Sequence, residues 1–175
     1  MGIVPKKKFS LRLVIASIVI FSIVILFLFA LFPSDISVTR MLRINKPRTD
    51  VRKKIVDLRE WNNWNELLQE ALGNMKIYAP ITTDSIHIRK GSFAVELLNS
   101  VTDSLFTLWQ HDGKSFKGNF IMTGMNGQTV VEWTLLFHIK WYPWDKLASM
   151  FYDKQLGPVM EKSLINLRNE LERGT

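Results

Sequence analysis

The 175-residue chain contains no cysteine, and this absence excludes disulfide bonds, thiolate nucleophiles and cysteine-ligated metal sites. Its three histidines, His87, His111 and His138, stand far apart and match no HExxH-type spacing, so we expect solvated histidines rather than metal ligands. A phosphate-binding glycine loop, a dinucleotide glycine set and a nucleophile elbow are also lacking. The sequence therefore offers no catalytic residue, no metal ligand and no cofactor site.

Charged residues are lacking between Leu13 and Phe32, where Ile, Val, Leu and Phe dominate. A helix of this length covers roughly the 30 Å hydrocarbon core of a bilayer. The alternative is a cleaved signal peptide, whose apolar region is usually about 7–15 residues long and ends at a small-x-small site. The run here is longer, and residues 29–33 offer no such site. We therefore expect an uncleaved transmembrane helix over residues 13–32, preceded by a basic cytoplasmic segment over residues 1–12.

Positive charges lie on both sides of that helix. Residues 6–12 carry four cations and no acid, which favours an N-terminus in the cytoplasm. Four more cations lie between residues 40 and 48, but long C-terminal domains cross membranes despite their charge. The expected topology is a single-pass protein of the inner (cytoplasmic) membrane whose domain lies on the outer, periplasmic face. Without the first four cations the formal net charge of +7 falls to +3, an excess too small to indicate a nucleic-acid partner.

The stretch from Gln128 to Leu171 combines a long strand with a long helix. Residues 129–141 alternate between apolar and mixed side chains, which predicts a strand with one apolar face. Tyr142-Pro143 ends the strand and suits the start of a helix, and Gly157-Pro158 predicts a kink or break within that helix. An apolar strand face beside an apolar helix face predicts an α+β domain, here over residues 36–173. The apolar strand face consists of Thr129, Val131, Trp133, Leu135, Phe137, Ile139 and Trp141.

Shorter elements precede this stretch. Ile36–Ile44 alternates as a first strand, and Arg40 interrupts its apolar face. A helix follows, and then Trp61 and Trp64 lie on a second short helix. Their three-residue spacing is more typical of a packing plug than of a ligand platform.

The middle of the chain predicts a run of short strands. Asp112-Gly113 and Asn126-Gly127 favour hairpins because both dipeptides tolerate positive φ. Consecutive hairpins indicate an antiparallel, meandering sheet. The predicted strands are residues 75–79, 85–89, 93–101, 104–110, 115–123 and 128–141.

Particular residues at the joints of these elements carry a resemblance to a known family. They are Ile44-Asn45-Lys46-Pro47, Val56-Asp57-Leu58, Trp61-Asn62-Asn63-Trp64, Thr129–Trp133, Leu164–Leu167 and Glu170. With the order of elements, they resemble the START-like (SRPBCC, helix-grip) superfamily of polyketide cyclase/dehydrase-type, coenzyme-Q-binding and lipid-transport domains, related to the major birch-pollen allergen. The match covers about the whole chain after the predicted anchor, and its motifs are architectural rather than catalytic. The glycine-rich region familiar after the tryptophan pair is reduced here to Gly73.

The resemblance implies a bent antiparallel sheet of about seven strands wrapped around the C-terminal helix, with an apolar cavity between them. Its expected partner is an apolar small molecule of the lipid, isoprenoid or quinone type; no oligomeric state follows. A dry, filled core uses the same residue types, so cavity and packed core remain equal alternatives. The expected ligand-binding residues are Phe120, Met122, Trp133, Leu135, Phe137, Met150 and Phe151.

Three functions fit these expectations. The first is a membrane-anchored binding module, the second a cyclase- or hydratase-like enzyme, and the third a structural or partner-binding domain with a filled core. Polar groups inside the cavity would favour the enzyme, and an exposed apolar patch over a filled core would favour the third. Glu132 is a poor candidate for a catalytic acid, because alternation turns it away from the cavity.

Overall fold

The computed structural model describes residues 11–73, 84–88, 93–111 and 113–173. Its strands form one antiparallel sheet in the order β1-β6-β5-β4-β3-β2, packed against the long C-terminal helix, as the sequence predicted. The predicted strand at residues 75–79 lies outside the described residues. The strands are β1 (Asp35–Ile44), β2 (Ser85–Ile88), β3 (Phe93–Ser100), β4 (Ser104–His111), β5 (Lys114–Met125) and β6 (Gln128–His138). The helices are α1 (Leu11–Ala30), α2 (Arg48–Val56), α3 (Trp61–Trp64), α4 (Glu66–Leu72), α5 (Pro143–Ser149) and α6 (Tyr152–Arg173).

The sheet is a meander from β2 to β6 that β1 completes. β1 pairs with β6 along its whole length, from Asp35 opposite His138 to Ile44 opposite Thr129. The turn between β5 and β6 is Asn126-Gly127, with φ of 50° and 78°. Positive φ at both central residues matches the twist of the flanking strands, so the predicted hairpin is confirmed.

One face of the sheet forms the floor of the core. Residues that pair across strands share a face, so Trp133 lies beside Phe120, and Phe120 lies beside Leu105. All three are fully buried. Glu132 points to the opposite face, as its place in the alternation predicts.

Helices cover this face from two directions. α2 presents Val51 and Ile55, and the 3-10 turn that follows presents Leu58, all completely buried at the spacing the sequence predicts. α6 packs mainly along β1. Its buried positions are Gly157, Met160, Ser163, Leu164 and Leu167.

The break in the C-terminal helical region lies at Met150-Phe151 and not at Gly157-Pro158, where the sequence predicted it. α6 runs through Pro158 without interruption, because burial of its inner face outweighs the backbone hydrogen bond that a proline removes. Gly157 serves a different purpose: a Cβ there would lie 1.9 Å from Arg40 Nη2. The missing side chain leaves room for the guanidinium of Arg40, which pairs with Asp153 at 2.9 Å.

β6 ends three residues before the predicted end at Trp141. Its partner β1 begins at Asp35, so the chain beyond His138 has no strand beside it in the ladder. Ile139 still packs inward, and its N–H donates to Ser34 O at 2.6 Å. Trp141 is 67% exposed, so its predicted place on the core-facing side is wrong.

Gly118 of β5 allows close packing on the floor of the core. A Cβ there would lie 2.5 Å from Thr107 Oγ1 and 2.6 Å from Trp109 Nε1, which are joined by a 2.9 Å hydrogen bond. We expect Gly118→Ala to lower the free energy of unfolding by about 1–3 kcal/mol, the usual cost of overpacking. Thermal unfolding of the full chain in mild detergent, followed by near-UV circular dichroism, measures the change.

Gly124→Ala, on the same face of the same strand, is the matched control, because its Cβ would meet Arg48 Cβ at an ordinary 3.4 Å. Equal midpoints for the two variants would contradict the close approach at Gly118.

Candidate functional site

Seven aromatic side chains from the helices and the sheet meet in the interior, and we call them the aromatic cluster. Trp61 lies 5.4 Å from Trp64 and 5.5 Å from Phe120, between ring centroids. Phe120 stacks on Trp133 at 5.0 Å, and Trp109 stacks on Trp133 at 6.1 Å. The rings contact one another directly, so the interior between α3 and the sheet is packed with aromatic surface. The cluster consists of Trp61, Trp64, Phe93, Trp109, Phe116, Phe120 and Trp133.

The four indole N–H groups of the cluster divide into two kinds. Trp61 Nε1 donates to Ile55 O at 2.8 Å, and Trp109 Nε1 donates to Thr107 Oγ1 at 2.9 Å. Trp64 Nε1 and Trp133 Nε1 are buried and find no acceptor within the described part of the chain. A buried donor without a partner costs about 1–3 kcal/mol. Two such donors, on rings 6.5 Å apart, are the chemically distinctive feature of this interior.

The seven predicted ligand-binding residues fall into three places. Phe120, Met122, Trp133 and Leu135 are completely buried on the floor of the core. Phe137 lies at the margin, partly buried against the core. Met150 and Phe151 lie apart from the other five, on the break between α5 and α6. Both are more than half exposed, at 58% and 53%, because the helix that was predicted to carry them inward ends at Ser149.

A row of rings connects the cluster with that break. Phe116 stacks on Trp109 at 5.9 Å and on Phe137 at 4.7 Å. Phe137 in turn meets Tyr152 edge-on at 5.0 Å. Tyr152 is the first residue of α6, directly after the exposed Phe151. An unbroken series of aromatic contacts therefore runs from the centre of the core to the start of α6.

Two surface depressions are prominent, and none of the predicted ligand residues lines either. One, of about 450 Å³, includes Arg48, Arg52 and Ser100. Its arginines have partners: Arg48 pairs with Asp103, and Arg52 donates to Ser100 Oγ at 2.7 Å. The other, of about 280 Å³, lies between β1 and α6.

Titratable groups contribute little to the interior. In the described ranges, no group of three or more histidine and acidic side chains is placed to hold a metal ion. His138 and Asp35 form an exposed pair at 2.8 Å. Next to α3, the hydrogen bond from Arg59 lowers the pKa of Asp57, which caps the 3-10 turn. The charged side chains described here therefore lie around the aromatic cluster rather than within it.

Of the aromatic cluster on the sheet, sequence reasoning identified Phe120 and Trp133 but not Phe93, Trp109 and Phe116. Trp61 and Trp64 were expected to be a packing plug, and their complete burial against the sheet agrees with that interpretation. Alternation of Leu105, Thr107 and Trp109 could have found the contribution of β4. No sequence signal distinguishes a satisfied indole such as Trp61 from an unsatisfied one such as Trp64.

Lys54 of α2 connects the 3-10 turn with α6, since its Nζ lies 2.7 Å from Glu60 Oε2 and 3.2 Å from Glu170 Oε2. The hydrogen bond with Glu60 raises the pKa of Lys54; partial burial opposes this and Glu170 adds to it. A raised lysine pKa stabilises the fold below the unfolded-state value of about 10.4, and this contribution disappears as the pH rises through the folded-state pKa. Lys54→Gln should therefore cost about 0.5–1 kcal/mol at neutral pH and progressively less above pH 10 or so.

Urea unfolding of the wild type and Lys54→Gln across that pH range measures the difference, with the exposed Lys53→Gln of the same helix as control. A difference that stayed constant into the alkaline range would contradict this role of the Lys54 charge.

Comparison with known proteins places this geometry in a fold. No protein-family model and no curated protein matches the sequence. A START superfamily protein from Mycobacterium smegmatis superposes with a TM-score of 0.58 and 14% identity, over 79% of this chain and 99% of that one. DynU16, from the dynemicin biosynthetic locus, gives 0.55 at 19% identity over 79% of this chain and 48% of its own, so this chain spans about half its length.

Truncated norcoclaurine synthase from Thalictrum flavum gives a TM-score of 0.52 at 9% identity, over 78% of this chain and 93% of that one. Identities this low establish architecture alone. The chain has the helix-grip fold of the START-like superfamily.

Proposed function

We propose that this domain binds an apolar small molecule that carries a hydrogen-bond acceptor, and that α1 holds the domain at a membrane. The observation that carries the proposal is the pair of buried indole donors of Trp64 and Trp133, which have no acceptor among the described residues. An acceptor oxygen on a lipid, isoprenoid or quinone-type molecule would satisfy them, and the surrounding rings would take its apolar part.

Because the rings of the aromatic cluster contact one another, a ligand must displace rings rather than enter an open cavity. The row from Tyr152 through Phe137 and Phe116 supplies side chains that can move, because Phe137 is only partly buried. Each offset or edge-on ring pair is worth about 0.5–1.5 kcal/mol beyond its buried area, so a ligand that displaces a ring must offer contacts of similar strength. The predicted residues Phe120, Met122, Trp133, Leu135 and Phe137 are proposed as the ligand-contacting set, joined by Trp64.

Binding fits this interior better than acid–base catalysis. Among the described residues that are fully buried, the polar ones are Asn65, Thr107, Thr129, Lys146, Ser149 and Ser163. None of these is a carboxylic acid or an imidazole, and the one amine that could carry a proton, Lys146, donates to Phe32 O beyond the end of α1. The second candidate is a structural or partner-binding domain, which the direct ring-to-ring contacts of the cluster favour.

We propose membrane anchoring on the basis of α1. It is the one helix of the described chain that is long and apolar enough to cross a membrane, and it has no buried residue. Its described limits, Leu11–Ala30, lie within two residues of the predicted 13–32. The proposed topology has the basic N-terminus in the cytoplasm and the domain on the outer, periplasmic face.

A test of ligand binding uses the full chain, purified from native membrane, with extraction of bound small molecules and identification by mass spectrometry. We expect an oxygen-bearing apolar compound enriched over a control membrane protein prepared in the same way. Trp64→Phe combined with Trp133→Phe should reduce its amount per protein about 3- to 10-fold, the value of one or two hydrogen bonds.

Trp61→Phe combined with Trp109→Phe is the matched control, since it removes the same number of indole rings but only donors that already have partners. If both double variants lose the compound, its binding depends on packing of the indole rings rather than on the donors of Trp64 and Trp133. If no compound is enriched in the wild type, the structural alternative is supported and the binding proposal fails.

The anchor is tested by alkaline carbonate extraction of membranes from a bacterial host, with N-terminal sequencing of the product. We expect the full-length chain in the membrane pellet, and digestion of the domain when protease is added to spheroplasts but not to intact cells. A soluble product that starts near Ser34 would show cleavage after α1 and overturn the proposal.

A further inference from the structure

The strongest feature outside the core is an exposed apolar surface on α5 and its flanks, which we call the α5 patch. Trp144 is 65% exposed and Leu147 48%, and Trp141 before the helix is 67% exposed. Large exposed apolar patches are rare on soluble domains and mark sites of contact with proteins, membranes or ligands. The patch consists of Trp141, Trp144, Leu147, Met150 and Phe151.

The patch occupies one side of an amphipathic helix. Trp144 and Leu147 follow the i, i+3 spacing of one helical face, and Phe151 lies just beyond the end of α5 at Ser149. Lys146 and Ser149, on the opposite side, are 5% and 4% exposed and pack towards the protein. The apolar side chains are therefore turned outward by the register of α5, which its buried polar residues fix.

The position of the patch is set by α1. Lys146 Nζ donates to Phe32 O, just beyond the last turn of α1, where a cation also complements the negative end of the helix dipole. Residues 31–34 separate α1 from β1 and can extend to at most about 14 Å. The α5 patch is thus held beside the point where the chain leaves α1.

The composition of the patch indicates which partner it contacts. Tyr142 stacks on Trp144 at 5.1 Å, and tryptophan and tyrosine are the residues enriched where a protein meets the boundary between membrane and water. The exposed cations near the patch are Lys140 and Lys154, and Asp145 offsets one of them, since Asp153 pairs with Arg40. Attraction to acidic lipid is therefore weak, and apolar insertion supplies the contact.

We propose that the α5 patch lies in the interfacial layer of the membrane that α1 crosses, with Trp144, Leu147 and Phe151 inserted among the lipid chains. This proposal rests on the proposed anchoring by α1. In this arrangement the row of rings begins, at Tyr152, beside the membrane surface. An apolar ligand could therefore pass from the membrane to the aromatic cluster without crossing water.

The absence of cysteine makes the test direct. Leu147→Cys and Met150→Cys each carry one nitroxide label on the full chain, reconstituted in liposomes of neutral phosphatidylcholine. Met125→Cys is the matched control: Met125 is 66% exposed, apolar, and lies in the turn at the end of the sheet away from α5. The measurement compares label accessibility to oxygen, which concentrates in lipid, with accessibility to a water-soluble nickel chelate.

We expect the oxygen-to-nickel ratio at Leu147→Cys and Met150→Cys to exceed that at Met125→Cys several-fold, with little change when anionic lipid is added. A ratio equal to the control overturns the proposal, as does an immobilised label inaccessible to both reagents, which indicates coverage by protein. Flotation of the liposomes separates the two proposals: a chain that does not float has failed as an anchored protein, whereas a floating chain with a control-like ratio refutes membrane contact alone.

Discussion

The contact of Trp61 and Trp64 with the aromatic floor of the sheet is the interaction on which the other layers depend. α3 is four residues long and has no stability of its own, since a helix this short does not form in isolation. Its two rings, buried against Phe120, Trp109 and Trp133, hold it in place. α4 begins one residue after α3, and α2 is connected to α3 through the 3-10 turn, so the two rings also help to hold these neighbouring helices.

Strands β1, β5 and β6 could be predicted because apolar and polar residues alternate wherever one face of a sheet is buried and the other is exposed. Sequence reasoning misplaced the helix break because Gly157 and Pro158 are judged locally as helix breakers. Their effect here is overridden by packing of the inner face of α6 and by Arg40, 117 positions away in the chain. Met150 and Phe151 were expected to point into the core, because the periodicity of apolar residues does not show where a helix ends. The state of an indole donor depends on atoms from distant elements and has no sequence signal.

The interior illustrates the physical difference between packing and binding. Ring contacts such as Phe120 on Trp133 lower the energy of the free domain, so a ligand must offer contacts at least as favourable. An unpaired buried donor raises the free energy of the ligand-free domain. A ligand acceptor that pairs with the donor removes this penalty, and the removed penalty adds to the binding free energy. Under the proposed function, Trp64 and Trp133 would therefore favour molecules with both an apolar body and an oxygen over plain hydrocarbons.

The glycine notch in α6 restricts how the domain can open. The guanidinium of Arg40 lies over Gly157, the single glycine of α6, and this fit favours one register of α6 on the sheet. A slide of α6 by one turn, about 5.4 Å, would bring Asp153-Lys154 or Met160-Glu161 to the place of Gly157, so a side chain would occupy the space that the guanidinium now fills. For the proposed ligand, a hinge at the α5–α6 break is then the route that leaves the body of α6 in place.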